Sequence, residues 1–209
     1  MTKSKTAALV LCGGRSQRMG QPKYLLPFGQ QCLLQRIVDV VTTVCDVVGV
    51  VAAVNQPMPT LSEDVRIFRD EQPDLGPLSG IATGVTQLSS EADAVFVSSC
   101  DAPFLEAAYV QGLISEVGNH DIAIVKGEKH FHPMGAVYRT RIAPIVRQLV
   151  DDEQLRPIFL LDKCNANVVE ADSMRRYDPE LRSLQNMNTP EDYRAALKTA
   201  GLPLPDQPE

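Results

Sequence analysis

AALVLCGGRSQRMGQPK, residues Ala7–Lys23, begins with five apolar residues and a cysteine that run into a glycine pair. A short apolar run ended by glycines suits a buried strand better than a helix. Glycines let backbone N–H groups close on an oxyanion, and a chain bending around a phosphate often needs positive φ. Gly13 and Gly14 stand where such a strand delivers them to a ligand. Arg15, Arg18 and Lys23 follow with no acid among them. Arg can meet a polyphosphate with forked hydrogen bonds and Lys as a point charge. A surface loop with solvated charges would use the same residue types, so the stretch alone leaves both readings open. Two familiar phosphate loops are excluded. Lys23 falls three residues after Gly20 and is followed by Tyr24, which does not fit G-x-x-x-x-G-K-[ST]. G-x-G-x-x-G is not matched either, and Pro22 and Pro27 interrupt the helix it would open.

Working outward, strands and helices alternate. Cys32–Val44 has apolar residues at helical spacing, whereas Val47–Val54 is short and β-branched and suits a central strand. Val65–Phe68 is a weaker strand, followed by glycine-rich DLGPLSGIATG and a helix to about Leu88. Ala94–Val97 is a buried strand that stops at SSCDAPF. Leu105–Val117 follows as a helix, Ile122–Val125 and Gly135–Tyr138 as strands, and Ile142–Leu149 as a helix. Thr189-Pro190-Glu191-Asp192 carries a cap, a first-turn proline and acids at the positive helix end. The last helix should run to about Ala200. This order predicts a Rossmann-like three-layer α/β/α sandwich with a mostly parallel sheet. Residues 1–200 read as a single domain, with 201–209 as a loose proline-rich tail. Ligands of such sheets bind beyond the carboxyl ends of the strands, where Cys12–Lys23, Asn55 and Ser98–Asp101 fall.

The 209 residues suffice for a sizeable core, and 26 acids against 20 bases give a formal charge of −6. That balance argues against a general nucleic-acid or membrane-surface binder, so an anionic ligand must meet a local cluster. Five cysteines without C-x-x-C spacing read as reduced, mostly buried thiols. No apolar run approaches the roughly 20 residues that span a bilayer, and a cytoplasmic protein is expected. His130 and His132 alternate along KHFHP, but two imidazoles without a nearby Cys or acid do not make a zinc site.

LCGGRSQRMGQPK resembles the signature of nucleotidyltransferases that activate small phosphorylated molecules, roughly L-A-x-G-x-S-x-R-M-G-x-x-K. Together with RDEQPDLGPLSGI from Arg69, SSCDAPFL from Ser98 and NMNTPEDY from Asn186, it is most similar to the molybdenum cofactor guanylyltransferases. The likeness runs from Ala7 to about Leu197. It implies transfer of GMP from GTP to the terminal phosphate of molybdopterin, with Mg²⁺ as cofactor and pyrophosphate released. It further implies nucleotide contacts at Leu11, Cys12, Gly13, Gly14, Lys23, Asn55, Asp70 and Asp101. Lys23 would bind phosphates, Asp101 would hold the metal, and Arg18 would join these two in catalysis. Gly76–Gly80 would shape the base pocket beside Leu11 and Cys12. His132 would stand near the acceptor. Cys12 departs from the usual alanine, and Pro22 stands where an acid often precedes the lysine. The resemblance leaves room for a homo-oligomer and for transient contact with molybdoenzyme-maturation proteins. Two rival readings remain: a cytidylyltransferase acting on molybdopterin or an isoprenoid phosphate, and a nucleotide-binding module without catalysis.

Overall fold

The computed structural model describes residues 5–13, 22–70 and 75–204. At its centre is β1 (Thr6–Leu11), in which every residue after Thr6 is buried. An unbroken run of small and branched apolar residues suits a strand covered on both faces. β1 pairs in parallel with β4 (Val47–Ala53) on one side and with β6 (Ala94–Ser99) on the other. Leu11 lies opposite both Val51 and Ser99. Outside β4 lies β5 (Arg66–Asp70), and outside β6 come β8 (Phe131–Arg139), β7 (Ile122–Lys126) and β9 (Ala166–Glu170). The spatial order is β5-β4-β1-β6-β8-β7-β9, and β8 alone runs against the others.

Side chains on successive strand residues point to opposite faces, and β1 feeds both layers of the core in this way. Ala8, Val10 and Cys12 pack with α1 (Leu33–Thr42) and α3 (Ala107–Glu116). Ala7, Leu9 and Leu11 pack with α2 (Pro77–Leu88) and α4 (Ala143–Asp151). The result is the α/β/α sandwich that the alternation predicts. In α1, Leu33, Leu34, Ile37, Val38 and Val41 form one buried stripe, and the Gln35 side chain caps the Cys32 N–H at 3.0 Å. In α2 glycine is required by closeness: a Cβ at Gly84 would come within 2.2 Å of the Leu9 side chain.

A smaller apolar cluster joins the hairpin β2–β3 (Pro27–Phe28 and Gln31–Cys32) to α5 (Pro190–Thr199). Thr189 and Asp192 form the cap expected at the start of α5. Leu202 also packs into this cluster, so the beginning of the tail is anchored. Two differences from the sequence reading concern edges. β8 begins at Phe131 and not at Gly135, which makes KHFHP part of the β7–β8 hairpin. β9 was not expected, because ANVVE leaves Val168 largely exposed at a sheet edge and shows no clean alternation.

Candidate functional site

After β1 the chain crosses to β4 and β5 on one side and then returns to β6 on the other. The strand order therefore reverses between β1 and β6, and in such sheets the carboxyl ends at that point form a crevice. A cavity of about 250 Å³ lies there, walled by Leu11 of β1 and Gly13 just beyond it, Ala53 of β4, Asp70 of β5, Ser99 of β6 and Asp101 just beyond it, and Pro77 and Gly80 of α2 with its cap Gly76. Met134 of β8 closes one side. Gly76 takes φ 76° and ψ −171°, a conformation open essentially to glycine alone, and so turns the chain into α2 at the cavity wall. A Cβ at Gly80 would stand 3.1 Å from the Leu11 side chain. Among the described residues a Cβ at Gly13 would meet nothing within 4 Å, so on their side the backbone there is open to approach.

The polar centre is a contact between distant parts of the chain. Lys23 Nζ lies 3.3 Å from Asp101 Oδ2 and donates to Asn188 Oδ1 at 3.1 Å. The Ser99 hydroxyl donates to the other oxygen of Asp101. The backbone holds the same junction: Met187 N–H donates to the Asp101 carbonyl at 2.9 Å. Asn188 and Thr189 donate their N–H groups to the Asp192 carboxylate, which these bonds hold below its ordinary pKa. The segment NMNT is thus fixed beside Asp101 by the cap of α5. Lys23 and Asp101 are about one-fifth exposed, close enough to solvent for a ligand to reach them.

Asp70 is buried and accepts from the Ser79 hydroxyl at 3.1 Å, which aims its carboxylate along the start of α2. Arg69 donates to the carbonyls of Ala53 and Gln56, and Arg66 pairs with Glu91. The side chain of Cys12 points into the opposite layer, and Cys12 is not among the residues that wall the cavity. Burial pushes its thiol up to about 12, so it is a neutral thiol and not a nucleophile at ordinary pH. Asn55 lies exposed in the turn after β4 and is not among the residues that wall the cavity. His132 is half-buried at the start of β8, and burial with His130 nearby lowers its pKa. Gly14, Arg15 and Arg18 lie outside the described residues.

Sequence reading placed Gly13, Lys23 and Asp101 beyond strand ends and the resemblance added Leu11 and Asp70, and the structure gathers all five around the cavity or at its mouth. It did not single out Gln56, Ser79, Ser99, Met134 or Asn188. Ser79, Ser99 and Asn188 had a signal, lying in the blocks RDEQPDLGPLSGI, SSCDAPFL and NMNTPEDY, with no individual role attached. Among the described residues no group of three His, Cys, Asp or Glu could hold a metal ion. Asp101 offers a single carboxylate, which suits an ion that takes its remaining ligands from phosphates and water.

The pattern of the MobA-like NTP transferase domain matches residues 8–166. A protein of Methanosarcina mazei named probable molybdenum cofactor guanylyltransferase is 33% identical over 203 residues, covering 91% of this chain and 89% of that protein. A protein of Mycobacterium tuberculosis with the same name is 35% identical over 210 residues, covering 97% and 94%. Among solved structures, molybdopterin-guanine dinucleotide biosynthesis protein A of Archaeoglobus fulgidus superposes with a TM-score of 0.78 at 19% identity, over 93% of this chain and 98% of its own. That last likeness speaks for the fold.

Proposed function

Because the chain belongs to the MobA-like NTP transferase family, we propose that it transfers GMP from GTP to the terminal phosphate of molybdopterin and releases pyrophosphate. The observation that carries this reading is the meeting of Lys23 with Asp101 at the mouth of the β1–β6 cavity. An acceptor phosphate is already ionised at neutral pH, so the reaction needs no strong general base. It needs two anions held in line and stabilisation of charge on the α-phosphate and leaving group.

The residues divide that work. The Gly13 backbone, where no side chain of the described residues intrudes, lies open to phosphate oxygens. Lys23 supplies a charge that a phosphate can draw away from Asp101 and Asn188. Arg18, on the resemblance, adds a second cation. Asp101 would hold Mg²⁺, which when bound supplies charge neutralisation and polarises the phosphate it contacts. The base would lie in the cavity between Leu11 and the segment Gly76–Gly80, with Asp70 at its edge. Backbone groups there that hydrogen-bond guanine would be left unpaired by another base, and such a loss discriminates strongly. The test is product analysis with molybdopterin and each NTP plus Mg²⁺. A GMP adduct is expected; equal incorporation of CMP and GMP would refute the assigned base preference, and no adduct with any NTP would refute the reaction.

A further inference from the structure

The pairing of β1 with β4 ends in an unusual way. In a parallel ladder, Cys12 N–H donating to the Val51 carbonyl at 3.0 Å should be followed by Ala53 N–H donating to the Cys12 carbonyl. That bond is replaced by a side chain. Ala53 N–H donates to Gln56 Oε1 at 3.1 Å, and Gln56 Nε2 donates to the Cys12 carbonyl at 2.9 Å. One primary amide thus stands between the two strands and completes the rung for both. The next acceptor in the ladder, the Ala53 carbonyl, is also occupied, by Gln56 N–H at 3.1 Å and by Arg69 Nη1 at 3.0 Å. Arg69 donates to the Gln56 carbonyl as well, at 2.8 Å, and so fixes the turn that carries the amide. Gly13 therefore leaves the sheet at the cavity instead of continuing along β4.

The same turn reaches the far end of the glycine-rich loop. Tyr24, next to Lys23, donates its hydroxyl to the Pro57 carbonyl at 2.8 Å. Residues 54–57 hold both described ends of the loop, one through Gln56 and the other through Pro57. We infer that Gln56 is a positioning residue for nucleotide binding: its amide wedge sets the point and direction at which β1 gives way to the loop that meets the phosphates. This rests on the reading of that loop given under Proposed function. Gln56 acts through Cys12, Gly13 and the turn, and not by contact with the ligand.

Gln56→Glu is the informative change, because it keeps the size and the acceptor for Ala53 but sets a carboxylate against the Cys12 carbonyl. Gln56→Met keeps the length and removes the amide, and serves as a second variant should the first fold poorly. Three readouts are needed on the full chain: thermal midpoint, amide exchange at Ala53 and Cys12 by NMR, and GTP affinity by calorimetry with KM and kcat for GTP. We expect a small change in thermal midpoint and faster exchange at Ala53 in Gln56→Met. GTP affinity should fall about tenfold in both variants, with KM affected more than kcat, since displaced binding groups of this kind are costly. Unchanged exchange would remove the wedge, and unchanged GTP affinity with altered exchange would leave it a structural role only. A wild-type chain that bound no nucleotide would instead defeat the proposed function, and the exchange result would still judge the wedge.

Discussion

Replacing Lys23 with alanine separates binding chemistry from fold. Its ammonium lies 3.3 Å from Asp101 and 3.1 Å from Asn188, and its side chain is 19% exposed. The pair is long but mostly buried, and Asp101 keeps the Ser99 hydroxyl when Lys23 is lost, so the cost to stability should be about 1–2 kcal/mol, between an exposed and a buried pair. Removing one preorganised charge donor from a site of developing negative charge costs about 2–4 kcal/mol of transition-state stabilisation. That corresponds to roughly a 30- to 1,000-fold loss of rate. The two effects differ enough to be told apart. Initial rates across a range of GTP concentrations, with chemical denaturation on the same preparation, give both quantities. Turnover within threefold of wild type at both low and saturating GTP would show that Lys23 does not serve the phosphates.

Gly13→Ala and Gly84→Ala should divide in the opposite senses. At Gly13 the added methyl meets no atom of the described residues within 4 Å, so stability should hold within about 0.5 kcal/mol while KM for GTP rises. At Gly84 it strikes the fully buried Leu9, and denaturant titration should show a loss of about 1–3 kcal/mol from overpacking. Cys12→Ala should keep turnover, since the Cys12 thiol is buried in the layer away from the cavity. Burial raises its thiol to about 12 from an ordinary 9.0. The folded chain then holds a proton that the unfolded chain releases, so stability falls as pH rises from about 9 to about 12. Thermal midpoints against pH should fall less steeply over that window in the variant.

The sheet was legible because its central strands are apolar without interruption. Ala7–Leu11, Val47–Ala53 and Ala94–Val97 are covered on both faces, so composition alone marks them. β9 and the first residues of β8 lie where one side is open, and their polar or half-exposed residues carry no such mark. The site divides along similar lines. Gly13, Lys23 and Asp101 are chemically conspicuous at strand ends. Gln56 and Asn188 are ordinary amides whose roles come from contacts across 44 and 165 residues of chain, which no local pattern records. Asp70 was marked by the resemblance alone, and its contact with the Ser79 hydroxyl of α2 is one that no local pattern records.

The contact between Lys23 and Asp101 has a consequence of opposite sign in two conditions. A phosphate that approaches Lys23 must compete with the Asp101 carboxylate, and that carboxylate also repels it. A divalent cation on Asp101 would remove both obstacles, so nucleotide and metal binding should be coupled and reciprocal. Asp101→Asn isolates the electrostatic part. It keeps a neutral acceptor for the Ser99 hydroxyl and takes away the negative charge. In buffer with chelator, the variant should bind GTP more tightly than wild type, by on the order of 1 kcal/mol or about fivefold for a partly exposed charge. With Mg²⁺ and molybdopterin present, the same variant should lose nearly all turnover, because the charge that would hold the metal is gone. Calorimetry with GTP in chelator and rate measurements over a Mg²⁺ titration test the two halves separately. Unchanged or weaker GTP binding in chelator would mean that Asp101 does not restrain Lys23. A normal rate with an unchanged Mg²⁺ midpoint would place the metal elsewhere.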